Sequence, residues 1–193
     1  TDSPEFRGAG ATFGTVNFYT YGVTSISGTN TFGTLNFAGP SDTSYCQVIS
    51  LEANQTCTDF GSTGINTARS RIESDSPTAQ RTITYTTKAA LSYTNFSNIA
   101  FSKSISGNSV GNSGGNTNIT FNETVTSAYW GVGSENDFNT TKWQATAGGS
   151  RYYPPPNYNI DAYFTSAHSG RCTVSSSWCK SLDMTGYASY IDG

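Results

Sequence analysis

Charge is scarce in this chain. Asp, Glu, Lys and Arg make up 12% of its 193 residues, about half the usual share, and the formal net charge is −3. The ten Lys and Arg are scattered, which excludes a nucleic-acid binder working through a basic stripe. The strong helix formers Leu, Ala, Glu and Lys are sparse, and no segment of ten residues keeps a helical period. No apolar run approaches the length of a membrane span, so none is expected. With a single histidine, His168, there is little to build an imidazole metal centre, and no cofactor is expected. The opening Thr1-Asp2-Ser3-Pro4, with no basic and apolar leader before it, reads as the start of a processed mature chain.

Thr, Ser and Asn supply the polarity instead, with 20 Gly and 13% aromatic residues. Disordered chains are poor in aromatic and β-branched residues, so this one is expected to fold. Thr, Tyr, Phe and Val suit a pleated, half-buried surface, which points to an all-β domain. Thr12–Tyr21, Thr31–Phe37 and Tyr45–Leu51 read as strands. Arg81–Thr87 sets Ile83 and Tyr85 against Thr82, Thr84 and Thr86, and Ile99–Ile105 alternates in the same way. Ile119, Phe121 and Val125 share one face, with Asn118, Thr120, Asn122 and Thr124 on the other. Asp59–Pro77 and Gly107–Asn116 read as loops, and the C-terminal third, with Tyr152-Tyr153-Pro154-Pro155-Pro156, as looser extended chain. Short strands spaced by Gly, Asn and Pro turns predict a two-sheet β-sandwich or jelly roll.

Four cysteines form two close pairs, Cys46/Cys57 and Cys172/Cys179. Three connectivities exist, and the local pairing is the simplest. A crosslink closing a loop of about 12 residues stabilises by roughly 3 kcal/mol in the chain-entropy model. A zinc site, the rival, requires tighter spacing or more histidines. Disulfides imply an oxidising space, secreted, periplasmic or cell-surface, or else a hyperthermophile protein of any compartment; the expectation is a chain that works outside the cytoplasm.

Catalytic constellations are thin. Small secreted jelly rolls of this length and composition resemble family 11 xylanases, which require two carboxylates across a cleft. The candidates are Glu52, Glu123, Glu135, Asp137 and Asp161, of which Glu123 is the one whose strand register aims it inward. The Glu-Tyr-Tyr context of that family is absent, and no enzyme activity is expected. His168 with Asp161 or Asp183 lacks a Gly-x-Ser-x-Gly elbow to place a nucleophile. Glu135-Asn136-Asp137 and Asp59 offer oxygen ligands for calcium without the spacing of an EF-hand, and turn chemistry accounts for the same residues. Tyr19/Tyr21, Tyr129/Trp130 and Tyr152/Tyr153/Tyr158 are candidate sugar-stacking platforms.

Asn-x-Ser/Thr sequons stand at Asn54, Asn95, Asn118, Asn122 and Asn139. Asn118 and Asn122 fall on the polar face of their strand, so a glycan is permitted there.

Asn30-Thr31-Phe32-Gly33-Thr34-Leu35-Asn36-Phe37 is similar to the Asn-Thr-Phe…Gly-Thr-Leu stretch of TasA-like filament proteins. The charge-poor, sequon-bearing composition likewise resembles archaeal surface threads. The resemblance implies a pilin-like sandwich assembled by donor-strand complementation, in which one subunit's N-terminal strand completes a neighbour's sheet. Residues 1–23 then form a flexible arm and donor strand, and 24–193 the head. The donated run Phe13–Val23 would insert Phe13, Val16 and Phe18 into the neighbour, and the equal alternative is that this run is the first strand of the chain's own sandwich. The expected function is thus a glycosylated structural subunit of an extracellular filament or cell-surface layer. Its partners are copies of itself, with host or cell-surface glycans as further candidates. A carbohydrate-binding lectin or adhesin and a secreted glycoside hydrolase remain the alternatives.

Overall fold

The seven-residue text Thr12-Phe13-Gly14-Thr15-Val16-Asn17-Phe18 recurs as Thr31-Phe32-Gly33-Thr34-Leu35-Asn36-Phe37, with Leu35 for Val16 the single difference. The computed structural model describes residues 5–39, 46–134, 136–139, 142–174 and 177–193, and of Tyr152 the backbone alone. It lays the two copies side by side and parallel, Thr12 beside Thr31, Phe13 beside Phe32 and Phe18 beside Phe37. Identical residues stack because each copy sits one coil further along.

Twelve strands build this part: β1 Glu5–Arg7, β2 Thr12–Phe18, β3 Gly22–Ser27, β4 Asn30–Ala38, β5 Gln47–Leu51, β6 Gln55–Thr63, β7 Ser70–Ser74, β8 Arg81–Ser97, β9 Ile99–Ser106, β10 Asn108–Asn112, β11 Thr117–Thr120 and β12 Glu123–Thr124. Every pairing among them is parallel. One limb runs β1-β3-β5-β7 and the other β2-β4-β6. The 17-residue β8 joins them, its first half against β6 and its second half against β7. The eight-strand path therefore curls into a half-barrel. Parallel neighbours need a crossover, and here the crossover from one strand to the next is simply the strand of the opposite limb. After β8 the winding continues, with β10 on β8, β12 on β10, and β11 on β9.

Inward residues of both limbs fill the trough. Ile26, Ile49, Leu51 and Ile72 come from one limb, and Phe32, Leu35, Phe37, Phe60 and Ile83 from the other, all buried. Phenylalanine rings follow the stack: Phe13 lies 5.4 Å from Phe32, Phe18 5.4 Å from Phe37, and Phe60 5.1 Å from Phe101. The corners are held by stacked amides. Buried Asn30 donates to the Ser27 and Gly28 carbonyls at 3.0 and 2.8 Å and to Gln55 of the next coil at 3.1 Å. Gly28 takes a φ of +73°, and a Cβ there would lie 2.6 Å from the Gly8 carbonyl oxygen, so only glycine fits the turn.

Beyond β12 the strands shorten. β13 Ser127–Tyr129, β15 Trp143–Gln144, β16 Tyr152–Tyr153, β17 Asp161–Tyr163 and β19 Ser181–Asp183 form a five-stranded sheet. β14 Asn136–Asp137, β18 Cys172–Thr173 and β20 Ile191–Asp192 form a three-stranded one. A second core of Trp130, Trp143, Phe138 and Phe164 lies here.

This architecture corrects the expected two-sheet β-sandwich or jelly roll. Alternation marks which face of a strand is buried, but it is silent on the direction of the neighbour. The pilin-like flexible arm is corrected as well, because β1 pairs in parallel with Ser25–Ser27 of β3 and belongs to the stack; residues 1–4 lie outside the described residues. Two expected loops contain strands, since the Asp59–Pro77 stretch holds the end of β6 and all of β7, and Gly107–Asn116 holds β10. Their Gly, Asn and Ser residues are the corners and outward rows of coils.

Candidate binding site

The outward rows of the first limb carry an unusual set of side chains. Because the strands are in register, Val23, Val48, Arg71, Asn95, Gly111 and Glu123 form one row, and Ser25, Ser50, Glu73 and Ser97 the next. Position 72 points into the core, so 71, 73 and 75 face out. The segment Pro154–Asn159 of the C-terminal part crosses these rows, with its three prolines buried and a set of polar contacts tying it down. Arg71 donates to the Pro155 carbonyl. Asn157 donates to the Glu73 carboxylate at 2.6 Å and to Ser97 at 3.1 Å, and Asn159 donates to Ser97 at 2.9 Å. The Tyr158 hydroxyl donates to the Ser74 carbonyl at 2.8 Å.

Glu123 anchors the far end of this seam. Its carboxylate lies 3.1 Å from the guanidinium of Arg69, which is fully buried, and 3.4 Å from that of Arg151. Arg69 also donates to Asn95 at 2.8 Å and to the Ser109 carbonyl at 2.5 Å. Burial pulls the Arg69 guanidinium below its ordinary value, and the Glu123 charge opposes that shift. The expected inward aim of Glu123 is corrected: it stands in the outward row beside Gly111 and Asn95, where it joins an ion-pair network between the two parts of the chain.

Between the rows and the crossing segment lies a cavity of about 290 Å³, lined by Ser50, Arg71, Glu73, Asp75, Tyr158 and Trp178 among others. Arg71 and Glu73 form an ion pair at 2.8 Å across its floor. Asp75 accepts from Arg81 at 2.9 and 2.7 Å. Burial, and then the Glu73 carboxylate, push the Tyr158 phenol above its ordinary range, so it serves as a neutral hydroxyl. Trp178 stands at the rim with 71% of its surface exposed.

The other expected residues lie elsewhere. Glu52 is exposed beyond β5, Asp137 is on β14, and Asp161 is on β17, where it accepts from Ser181 at 2.7 Å. Glu135 lies outside the described residues. The two acids that share a cavity, Glu73 and Asp75, each have a guanidinium partner. Asp183 accepts from its own turn at Thr185, and among the described residues His168 Nε2 has no partner. Among the described residues no group of three metal-ligating side chains occurs, and no helix is long and apolar enough to cross a membrane.

Cys46, Cys57, Cys172 and Cys179 are free thiols in this structure. Cys46 stands before β5, and Cys57 is the third residue of β6, on the opposite limb of the same coil. Asn54, Asn118, Asn122 and Asn139 are exposed. Asn95 is buried under Arg69, which leaves no room for a glycan on the folded chain. Of the aromatic platforms, Tyr19 and Tyr21 are exposed, Trp130 and Tyr153 are core, Tyr129 stacks on Tyr163 at 5.0 Å, and Tyr158 reaches the cavity. Arg71, Glu73 and Trp178 were not legible as a group. The signal available was the repeated Thr-Phe-Gly-Thr text, which indicates stacked coils and hence outward rows.

No family model, no curated protein and no solved structure matches this chain.

Proposed function

We propose that the chain is a structural subunit of an extracellular filament or surface layer, assembled from copies of itself by exchange of its first coil. The observation that carries this reading is the position of β2. It ends the strand path, β4 is its one partner among the described residues, and that partner bears the same text. A neighbour's β4 thus offers Phe13, Val16 and Phe18 the same pockets as the chain's own β4. Exchange replaces like with like and needs only a hinge. Tyr19 and Tyr21, exposed by 72% and 57%, occupy the connection to β3. Phe6, Phe13 and Val16 are only partly buried at this end of the core, so further cover there is favourable. The exposed sequons Asn54, Asn118, Asn122 and Asn139 are the glycan sites of this reading, and a charge-poor, Thr-rich chain suits a polymer outside the cytoplasm.

Removing residues 1–21 tests it. Stacked coils are quasi-one-dimensional, so the remainder keeps its β circular dichroism but no longer assembles in sedimentation velocity, and a peptide spanning residues 5–18 rebinds it. A full chain that stays monomeric at its highest soluble concentration, with the β2 amides protected from hydrogen exchange, overturns the proposal.

A further inference from the structure

We propose that the cavity between the outward rows and the Pro154–Asn159 crossing binds a neutral saccharide, the pyranose end of a glycan. This does not rest on how the chain assembles. Its volume of about 290 Å³ is at the small end of ligand pockets, suited to one or two rings rather than a folded partner. The rim holds the indole of Trp178, 71% exposed, while the two other tryptophans, Trp130 and Trp143, are 1% and 0% exposed. An indole left in water beside a concave polar surface is placed to receive the C–H face of a sugar ring against its π-face. The wall is mixed in hydrogen-bonding character. Arg71 carries N–H donors, Glu73 and Asp75 accept, the Ser50 hydroxyl does both, and the Tyr158 oxygen, whose proton goes to the Ser74 carbonyl, accepts. Sugar hydroxyls are likewise donors and acceptors at once, and need such a mixture. Charge decides against an ionic ligand. Arg71 pairs with Glu73, and Arg81, which is not part of the lining, pairs with Asp75, so each charged group at the cavity already has a partner of opposite sign.

The experiment titrates the full chain with glucose, galactose, mannose and N-acetylglucosamine and with their disaccharides. Tryptophan fluorescence and calorimetry report binding. Because two of the three indoles are buried, the fluorescence change reports Trp178. At least one of these probes is expected to bind saturably, with a dissociation constant of about 1 mM or tighter, and added salt leaves it unchanged. Trp178→Ala weakens calorimetric binding by about tenfold or more, while Trp178→Phe keeps most of it. The absence of saturable binding to every probe overturns the inference. So does binding that Trp178→Ala leaves intact, or a response confined to a charged ligand such as spermidine and abolished by salt.

Discussion

The coil stack and the C-terminal part are held together by different means. In the stack, strands of up to 17 residues pair in register, and the backbone ladder is repeated from coil to coil. In the C-terminal part most strands are two or three residues long, too short for ladders to dominate. Side chains must do that work there. Trp130, Trp143, Phe138 and Phe164 lie at ring distances of 4.9 to 5.4 Å along their chain of contacts, and the Trp143 indole donates to the Phe138 carbonyl at 2.8 Å. Stability spread along a ladder tolerates the loss of one contact, whereas stability gathered in a cluster does not.

Trp143→Ala breaks that comparison most severely if it is wrong. The side chain is fully buried, and its removal should cost about 3–5 kcal/mol. Hydrogen exchange is expected to show protection lost from residues 127–193 and retained in β3–β9. Equal loss in both regions would mean that the polar seam at Arg69, Glu123 and Asn157 fuses them into one cooperative unit.

Alkaline pH ranks next and separates the two regions by their cysteines. Burial first, and Asp59 second, push the Cys57 thiol up to about 12; burial and then Asp137 do the same to Cys172. Both stay protonated in the folded chain above the ordinary value of 9.0, at which the unfolded thiols ionise. The unfolded state therefore binds fewer protons, and stability falls as pH rises from about 9 to about 12. One pH unit into that window, each thiol should cost on the order of 1 kcal/mol. Denaturant midpoints at pH 8 and pH 10 measure this, with and without prior reduction. If Cys46–Cys57 and Cys172–Cys179 are disulfides in the native protein, the thiol contribution to this decline appears only after reduction. Peptide mapping then reports which pairs exist.

How far the sequence was legible follows the same division. Alternation in Arg81–Thr87 and Ile99–Ile105 located strands that exist; Ile83, Tyr85, Ile99, Phe101 and Ile105 are buried, whereas Lys103, in the same register, is exposed. Direction of pairing was not legible from alternation, and all-β chains with tight turns are more often antiparallel. The repeat of Thr12–Phe18 in Thr31–Phe37 did carry that information, because identical text at a coil's spacing stacks like on like. The cavity was beyond such reading. Arg71 and Glu73 meet Tyr158 and Trp178 only because a coil row and a distant crossing segment coincide in space. Tyr158 alone stood out in advance, as part of a tyrosine cluster.

The smallest expected effect sharpens the contrast from the side of the stack. Asn36 and Asn17 sit in register on the outward face of β4 and β2, and the Asn36 amide donates to the Asn17 oxygen at 3.2 Å. Such a bond is prominent in the structure, yet both groups are in contact with water, which replaces either partner at little cost. Asn36→Ala is therefore expected to change stability by no more than about 0.5 kcal/mol. The parallel backbone pairing of β4 with β2 and with β6 survives the substitution, and the inward Leu35 and Phe37 keep their places. Any change in hydrogen exchange should be confined to β2, the end strand with a single partner. A loss of about 2 kcal/mol or more in the denaturant midpoint, or exchange that spreads to β6, would show that the outward amide row rather than the ladder and the phenylalanine stack holds the first coil in place.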